Sequence, residues 1–136
     1  MYISETNIRV RYGETDQMGY VYYGNYTLYY EVGRVEALRQ LGFSYKDMEA
    51  NGIMLPVLDL QVKYIRPAFY DDLLTIKTII KEIPQTRIHF DYEVYNEKKE
   101  LLNKGETTLV FISKANGKPC AAPEWFINAL QKHFDA

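Results

Sequence analysis

The sequence predicts an α+β fold in which one antiparallel sheet wraps around a long helix. Between residues 25 and 41, apolar residues recur at spacings of three and four, which is the period of a helix. The later segments alternate apolar and polar residues, as strands do, and the short turns between them require antiparallel pairing. The chain has 136 residues without a linker or repeat, so we expect a single domain over residues 1–136.

A first strand is predicted around residues 8–13, followed by turns at Gly19 and Gly24 and by the long helix, Asn25–Leu41. Gly42 is placed to end this helix. The apolar positions that define its period are Leu28, Val32, Val35, Leu38 and Leu41. Because tyrosines and an alanine lie at other angles on the helix, we expect other parts of the protein to surround it.

The remaining elements follow from the same periods and from turn residues. Ser44 is placed to cap a short helix that runs through Glu49. Strands are predicted over residues 53–65, 73–83, 86–95 and 101–113. Gly105 interrupts the last strand, where a bulge or a close backbone approach is expected. Pro123 opens a terminal helix that reaches Phe134.

Composition argues against several classes of function. Sixteen basic and 18 acidic side chains give a net charge of −2, which offers no general attraction to nucleic acid or to anionic membranes. The single Cys120 excludes an intrachain disulfide and a cysteine-based metal cluster. No apolar stretch reaches the roughly 18 residues of a membrane helix, and the first residues lack a signal-peptide pattern. We therefore predict a cytoplasmic protein that neither binds nucleic acid nor inserts into membranes.

The sequence predicts no metal site and no serine nucleophile. His89 and His133 are 44 residues apart without a metal-like spacing, and both are expected on the surface. There is no G-x-S-x-G elbow.

Asp16 is the residue between strand and helix that is best suited to chemistry. The first N–H groups of a helix lack intrahelical partners and lie at the positive end of its dipole. A carboxylate facing such groups is suited to acyl transfer, because it can attack or activate water while the amides stabilise the oxyanion. Spacing alone also allows a loop aspartate that hydrogen-bonds its own backbone. Glu14 could serve as a second catalytic acid, but we expect it to pair with an arginine or with the turn backbone.

The stretch YGETDQMGYVYYGNY, residues 12–26, resembles the signature of the hotdog-fold acyl-CoA thioesterases of the 4-hydroxybenzoyl-CoA thioesterase family. Residues 62–73 resemble a second block of that family, and residues 105–107 resemble its later strand. The resemblance implies a hotdog fold and hydrolysis of acyl-CoA thioesters to free acid and thiol. Water supplies the oxygen, so no cofactor is expected. It also implies a homodimer or homotetramer in which two subunits wall each pocket.

The resemblance also implies residue roles. Asp16 would act as nucleophile or general base, and the backbone amides near Tyr23 and Gly24 would polarise the thioester carbonyl. Some relatives carry a histidine where this chain has Tyr23, so proton transfer by that histidine is unavailable, and a tyrosine with a pKa of about 10 is a poor base near neutrality. The candidate substrate-binding residues are Tyr22, Asn25, Arg66 and Lys63.

Alternatives remain open at this point. Arg66 and Lys63 could hold a CoA phosphate, or they could be solvated cations of a strand. The substrate could be an acyl thioester of a carrier protein (acyl-ACP), and a non-catalytic acyl-thioester binding protein could use the same pocket. The tyrosines suit either an aromatic or an aliphatic acyl group.

Overall fold

The computed structural model describes residues 1–134, which form seven strands and three α-helices. The strands are β1 (Tyr2–Arg9), β2 (Ile53–Met54), β3 (Val57–Tyr64), β4 (Leu73–Ile80), β5 (Arg87–Tyr95), β6 (Leu101–Val110) and β7 (Ile112–Ser113). The helices are α1 (Tyr26–Gln40), α2 (Tyr45–Ala50) and α3 (Glu124–Gln131). Two short 3-10 turns, Tyr12–Glu14 and Tyr23–Asn25, precede α1.

Five strands form one antiparallel sheet in the order β1-β4-β5-β6-β3, and β2 pairs with β7 beside it. Helix α1 packs on β1 and β4. The predicted architecture of an antiparallel sheet with a long helix is thereby confirmed. No helix within residues 1–134 combines the length and the apolar character needed to cross a bilayer.

Strand β5 shows most clearly that the alternation of apolar and polar residues matches the alternation of buried and exposed positions. Its inward residues are at most 1% exposed, and they are Ile88, Phe90, Tyr92 and Val94. The residues between them face the other side of the sheet and are exposed or half-buried. An apolar residue at every second position therefore buries one face of the strand while the other stays in solvent.

The first strand, predicted around residues 8–13, begins earlier, and it also ends earlier because residues 12–14 form a 3-10 turn. It pairs with β4 from Tyr2, opposite Ile80, to Arg9, opposite Leu73. The polar Ser4 hides this strand from a search for apolar alternation. Ser4 is nevertheless buried, because its hydroxyl donates a hydrogen bond to Gln40 Oε1 at 2.9 Å.

The face of α1 that lies on the sheet also differs from the stripe that the spacing indicates. The sheet-facing side includes Tyr30 and Gly33, whereas Leu28 is 53% and Val32 is 40% exposed. A Cβ at position 33 would lie 2.6 Å from Thr78 Oγ1, so only glycine allows this close approach. The helix therefore has a second apolar side that residues 1–134 leave exposed.

The strand predicted over residues 53–65 is divided at Pro56, which cannot donate a ladder hydrogen bond. Its longer part, β3, lies at the edge of the sheet with β6 as its neighbour. Helix α1 covers the opposite end of the sheet, so β3 is poorly buried. Leu58, Leu60 and Tyr64 are 43–50% exposed.

Candidate active site

Asp16 closes a tight turn over residues 16–20. Its Oδ1 accepts hydrogen bonds from the N–H of Met18 at 2.9 Å and from the N–H of Tyr20 at 3.3 Å. Its own N–H donates to Tyr20 O at 2.8 Å. Gly19 adopts a φ of +82°, which favours glycine. The local hydrogen bonding that spacing alone allowed for Asp16 is therefore present, but both side-chain bonds use Oδ1, so Oδ2 is not needed to hold the turn.

The same carboxylate borders a pocket of about 260 Å³ between this turn, the start of the helix and the end of β3. The lining residues are Asp16, Met18, Tyr20, Val21, Tyr23, Tyr26, Tyr64, Ile65, Arg66 and Pro67. Asp16 is the one carboxylate among them. The pocket thus combines a charged oxygen with mostly apolar and aromatic walls, which is the usual make-up of a small-molecule site.

The helical path at the pocket begins at Tyr23, two residues before the predicted start at Asn25, because a 3-10 turn leads into α1. The N–H of Asn25 closes this turn on Tyr22 O at 2.9 Å. The amides of Tyr23 and Gly24 therefore occupy the first positions, where helical N–H groups lack intrahelical acceptors. Tyr23 and Asp16 border one pocket, so the carboxylate and the first residue of the helical path line the same cavity.

Gly24 does not line the pocket, and the ring of Tyr22 lies against it. A Cβ at position 24 would be 2.9 Å from Tyr22 Cε2. The Tyr22 ring also contacts the Tyr23 ring, with centroids 4.6 Å apart, and is 46% exposed. Tyr22 therefore covers the outside of the helix start, and its role as a substrate-binding residue stays a prediction.

Glu14 connects the loop before the helix to Arg11 and to the helix by hydrogen bonds. Its Oε1 accepts the N–H of Arg11 at 2.8 Å and the hydroxyl of Tyr29 at 3.1 Å, and its Oε2 lies 3.4 Å from Arg11 Nη2. The side-chain amide of Asn25 donates to the carbonyl of Glu14 at 2.9 Å. The expected pairing of Glu14 with an arginine is therefore present. Asn25 holds the loop and does not line the pocket, so its substrate contact also stays a prediction.

The two cationic candidates lie on opposite faces of the sheet. Arg66 lines the Asp16 pocket, is well exposed and lies 3.6 Å from Glu100. Lys63 borders a different hollow with Lys104 and Glu106. This separation follows from strand alternation, because Tyr64, the next residue, faces the Asp16 pocket. The structure therefore brings Arg66 to Asp16 and does not bring Lys63 there.

Sequence reasoning missed the aromatic wall opposite Asp16. Tyr64 Oη donates to Tyr23 O at 3.0 Å, and the rings of Tyr26 and Tyr64 have centroids 5.7 Å apart. Burial raises the pKa of Tyr26 to about 12 and raises that of Tyr64 as well. Both therefore stay protonated near neutrality and serve as walls and donors, not as bases. The alternation of residues 58–64 places Tyr64 on the inner face, and this was the available signal.

Comparison with known proteins identifies the family of the chain. A family model described as the thioesterase-like superfamily matches residues 10–130. The chain belongs to the thioesterase-like superfamily. The putative acyl-CoA thioesterase YneP of Bacillus subtilis (strain 168) is 37% identical over 129 residues, covering 92% of this chain and 94% of that protein. The acyl-CoA thioester hydrolase YbgC of Escherichia coli O6:H1 is 35% identical, covering 86% and 87%.

A solved structure, the DHNA-CoA thioesterase from Staphylococcus aureus, is similar to the whole described fold. It shares 40% identity with a TM-score of 0.91, covering 98% of this chain and 92% of that one. The predicted hotdog fold, family and enzyme class, a thioester hydrolase, are thereby confirmed for this member of the thioesterase-like superfamily. The similarity does not identify the catalytic residues, which depend on the geometry above.

Proposed function

We propose that this chain hydrolyses acyl-CoA thioesters with Asp16 as the catalytic carboxylate. The observation that carries the proposal is that Asp16 borders one pocket with Tyr23, the first residue of the helical path into α1. The thioester carbonyl would lie between them, its oxygen toward the Tyr23 and Gly24 amides. Such donors stabilise the oxyanion, and loss of one typically costs about a hundredfold to a thousandfold in rate.

Two routes satisfy this geometry. In the first, an Asp16 oxygen attacks the carbonyl carbon, the C–S bond breaks, the CoA thiolate leaves and takes up a proton, and water then hydrolyses the mixed anhydride. In the second, Asp16 accepts a proton from a water that attacks the same carbon, and the thiolate leaves with a proton. Both give the free acid and CoA.

Arg66 supports the CoA part of the proposal. It lies at the rim of the pocket, and its guanidinium is 61% exposed and suited to a phosphate. Its present partner is Glu100, whose pKa is lowered mainly by a hydrogen bond from Asn96 and further by Arg66 itself. An exposed ion pair of this kind is worth little, so a phosphate can replace it. We leave Lys63 out of the proposed site because it lies on the other face of the sheet.

We further propose that the protein acts as a homodimer. Leu28 and Val32 on α1 and Leu58 and Leu60 on β3 are each at least 40% exposed, and β3 has an open edge. A second copy would cover these residues and enclose the Asp16 pocket, which is shallow in the single chain. Larger assemblies, a cytoplasmic location and hydrolysis of carrier-protein esters stay predictions.

The substrate panel follows from the walls of the pocket. Tyr23, Tyr26 and Tyr64 offer aromatic faces, and a solved relative is named a DHNA-CoA thioesterase. Aryl-CoA esters therefore belong in the panel beside short and long aliphatic acyl-CoA esters and acyl-ACP. Release of thiol, measured with a disulfide reagent, identifies the preferred ester by its kcat/KM.

The central experiment compares Asp16→Asn with the wild type on that preferred ester. Asparagine keeps an oxygen that can accept the Met18 and Tyr20 amides, so the turn should persist. We expect kcat to fall by about a hundredfold to ten-thousandfold because the base or nucleophile is lost. Asp71→Asn is the matched control, since Asp71 is an exposed aspartate at positive φ, which asparagine tolerates. Unchanged turnover in Asp16→Asn would remove Asp16 from the mechanism.

A further inference from the structure

The face of the sheet opposite the Asp16 pocket carries a compact group of metal-ligating side chains. In the pairing of β5 with β6, Asp91 lies opposite Glu106 and His89 lies opposite Thr108. Phe90 is buried in the core, so its neighbours His89 and Asp91 point to the other face. The sheet register therefore brings together residues that are up to 17 positions apart in the sequence.

Three ligand atoms from this group converge. His89 Nε2 lies 3.6 Å from Asp91 Oδ1 and 4.0 Å from Glu106 Oε2. All three residues offer ligand atoms within 4.8 Å of one another. Two ligands of a tetrahedral zinc ion are about 3.3 Å apart, so the half-exposed His89 and Glu106 side chains would need to move by only about 1 Å.

The histidine is oriented from outside the group. Its Nδ1 lies 3.0 Å from Thr108 Oγ1, on the strand position directly opposite. When Nδ1–H donates to that hydroxyl, Nε2 carries the lone pair and faces the two carboxylates. Metal-bound histidines are commonly held in this way by a partner of the second ring nitrogen.

The charges here are incompletely compensated. Two carboxylates directly opposite each other on neighbouring strands repel. Asp91 Oδ2 is buried and accepts no hydrogen bond within the described part of the chain, and its nearby cation is Lys81, with Nζ at 3.5 Å. Lys81 and Arg87 border the same 750 Å³ hollow as the three ligands. A bound cation between the two carboxylates would relieve the repulsion between Asp91 and Glu106.

We propose that His89, Asp91 and Glu106 form a binding site for a divalent transition-metal ion of the Zn²⁺ type. The imidazole nitrogen selects such an ion over Mg²⁺ and Ca²⁺, which prefer oxygen ligands alone. Three protein ligands leave a coordination position for water. The sequence predicted no metal site because the ligands come from two strands and show no local spacing. The site joins β5 to β6 and is separate from the proposed hydrolysis at Asp16.

Lys81 gives the proposal a distinctive consequence. Its ammonium lies 3.5 Å from Oδ2 of the same carboxylate whose Oδ1 faces His89, so its positive charge opposes a second cation there. Lys81→Gln should therefore strengthen Zn²⁺ binding, by about threefold to tenfold, because a nearby positive charge is removed. Weaker or unchanged binding in this variant would count against Asp91 as a ligand.

The test is calorimetric titration of ZnCl₂ into metal-stripped, tag-free protein. We expect one Zn²⁺ per chain, bound at least about tenfold more tightly than Mg²⁺. His89→Gln and Glu106→Gln should each weaken Zn²⁺ binding at least about tenfold. The matched controls are His133→Gln, the other histidine, and Glu93→Gln, a carboxylate of the same sheet face that lies near Lys77; both should bind as the wild type does.

The proposal would be overturned if the wild type showed no saturable Zn²⁺ binding below about 1 mM. It would also be overturned if His89→Gln bound Zn²⁺ as tightly as the wild type. Binding lost in His133→Gln would also overturn it, because the ion would then lie elsewhere. Thioester hydrolysis by His89→Gln should equal that of the wild type. This result separates the metal site from the function proposed above, since either can fail without the other.

Discussion

The buried Tyr30 of α1 is positioned by a close contact with a single glycine of the sheet, Gly105. Tyr30 stacks on Tyr92 with centroids 4.3 Å apart and donates a hydrogen bond to Asn103 at 2.6 Å. Its ring lies directly on Gly105 in β6, where a Cβ would be 2.3 Å from the ring. The sequence predicted a bulge or a close approach at Gly105, and the strand register runs through this residue without a shift. The close approach is therefore the correct alternative.

Gly105→Ala should lower the free energy of unfolding by about 1–3 kcal/mol, because the added methyl forces the buried Tyr30 ring to move. Gly13→Ala is the matched control, since nothing lies within 4 Å of a Cβ there, and it should change stability by no more than about 0.5 kcal/mol. Urea unfolding measures both. Equal stability of the two variants would show that Tyr30 adapts without cost.

The type of a residue is enough to mark the acidic residues near the site as candidates, but it does not mark Tyr64, which belongs to the aromatic wall of the pocket. Asp16 and Glu14 stand out because few charged residues lie between strand and helix. Glu14 makes the expected pair with an arginine, and Asp16 makes the local hydrogen bonds that spacing allowed as an alternative. Tyr64 is one of 13 tyrosines, and nothing in its type separates it from the others. The alternation of residues 58–64 places it on the inner face, but its contacts there with Tyr23 and Tyr26 come from a helix start that is about 40 residues away.

At the scale of elements, the loop before α1 is held to the helix by its own side chains. Tyr29, on the buried face of α1, donates to Glu14, and Asn25 donates to the carbonyl of Glu14. The N–H of Tyr22 donates to the same carbonyl at 2.9 Å. Three contacts thus converge on one loop residue, two positions before Asp16. The packing of α1 therefore helps to fix the loop that carries Asp16.

Tyr29→Phe should lower stability by about 1 kcal/mol because it removes a largely buried hydrogen bond to a carboxylate. It should also lower kcat, because the loop that carries Asp16 loses one of its three contacts. Tyr95→Phe is the matched control: it removes a tyrosine–carboxylate bond to Glu93, near the end of β5 and away from this loop. Thermal unfolding and thiol release measure the two effects. A Tyr29→Phe enzyme with wild-type kcat would show that Glu14 holds the loop without the helix.

Helices and strands could be predicted from the sequence where the buried positions are occupied by apolar residues and the exposed positions by polar ones. In β5 every second residue is apolar and buried, so the predicted and observed strands nearly coincide. In β1 the buried Ser4 breaks the pattern, and its burial depends on Gln40, which is 36 residues away. On α1 two apolar sides exist, and choosing the one that meets the sheet requires knowing that Gly33 lies against Thr78. Both differences come from long-range contacts that a local period does not contain.

At the scale of the whole molecule, the sheet is covered unequally. Helix α1 packs on β1 and β4, whereas β3 at the other edge has Leu58 and Leu60 half exposed. Burying a leucine side chain is worth about 1.5–3 kcal/mol, and an open apolar edge invites pairing with another strand. The exposed apolar residues of β3, next to the Asp16 pocket, therefore favour association with a second copy of the chain.

Leu60→Lys should convert the proposed homodimer to monomer, because a charge at the uncovered inner face of β3 cannot be buried against a second copy without a large desolvation cost. Ile3→Lys is the matched control, since Ile3 is 47% exposed on β1, the opposite edge strand. Light scattering after gel filtration gives the mass of each protein. Thiol release should fall in Leu60→Lys and persist in Ile3→Lys, because only the β3 side adjoins the pocket. A wild type that is monomeric at micromolar concentration, or a Leu60→Lys protein of unchanged mass, would show that β3 is not the contact between subunits.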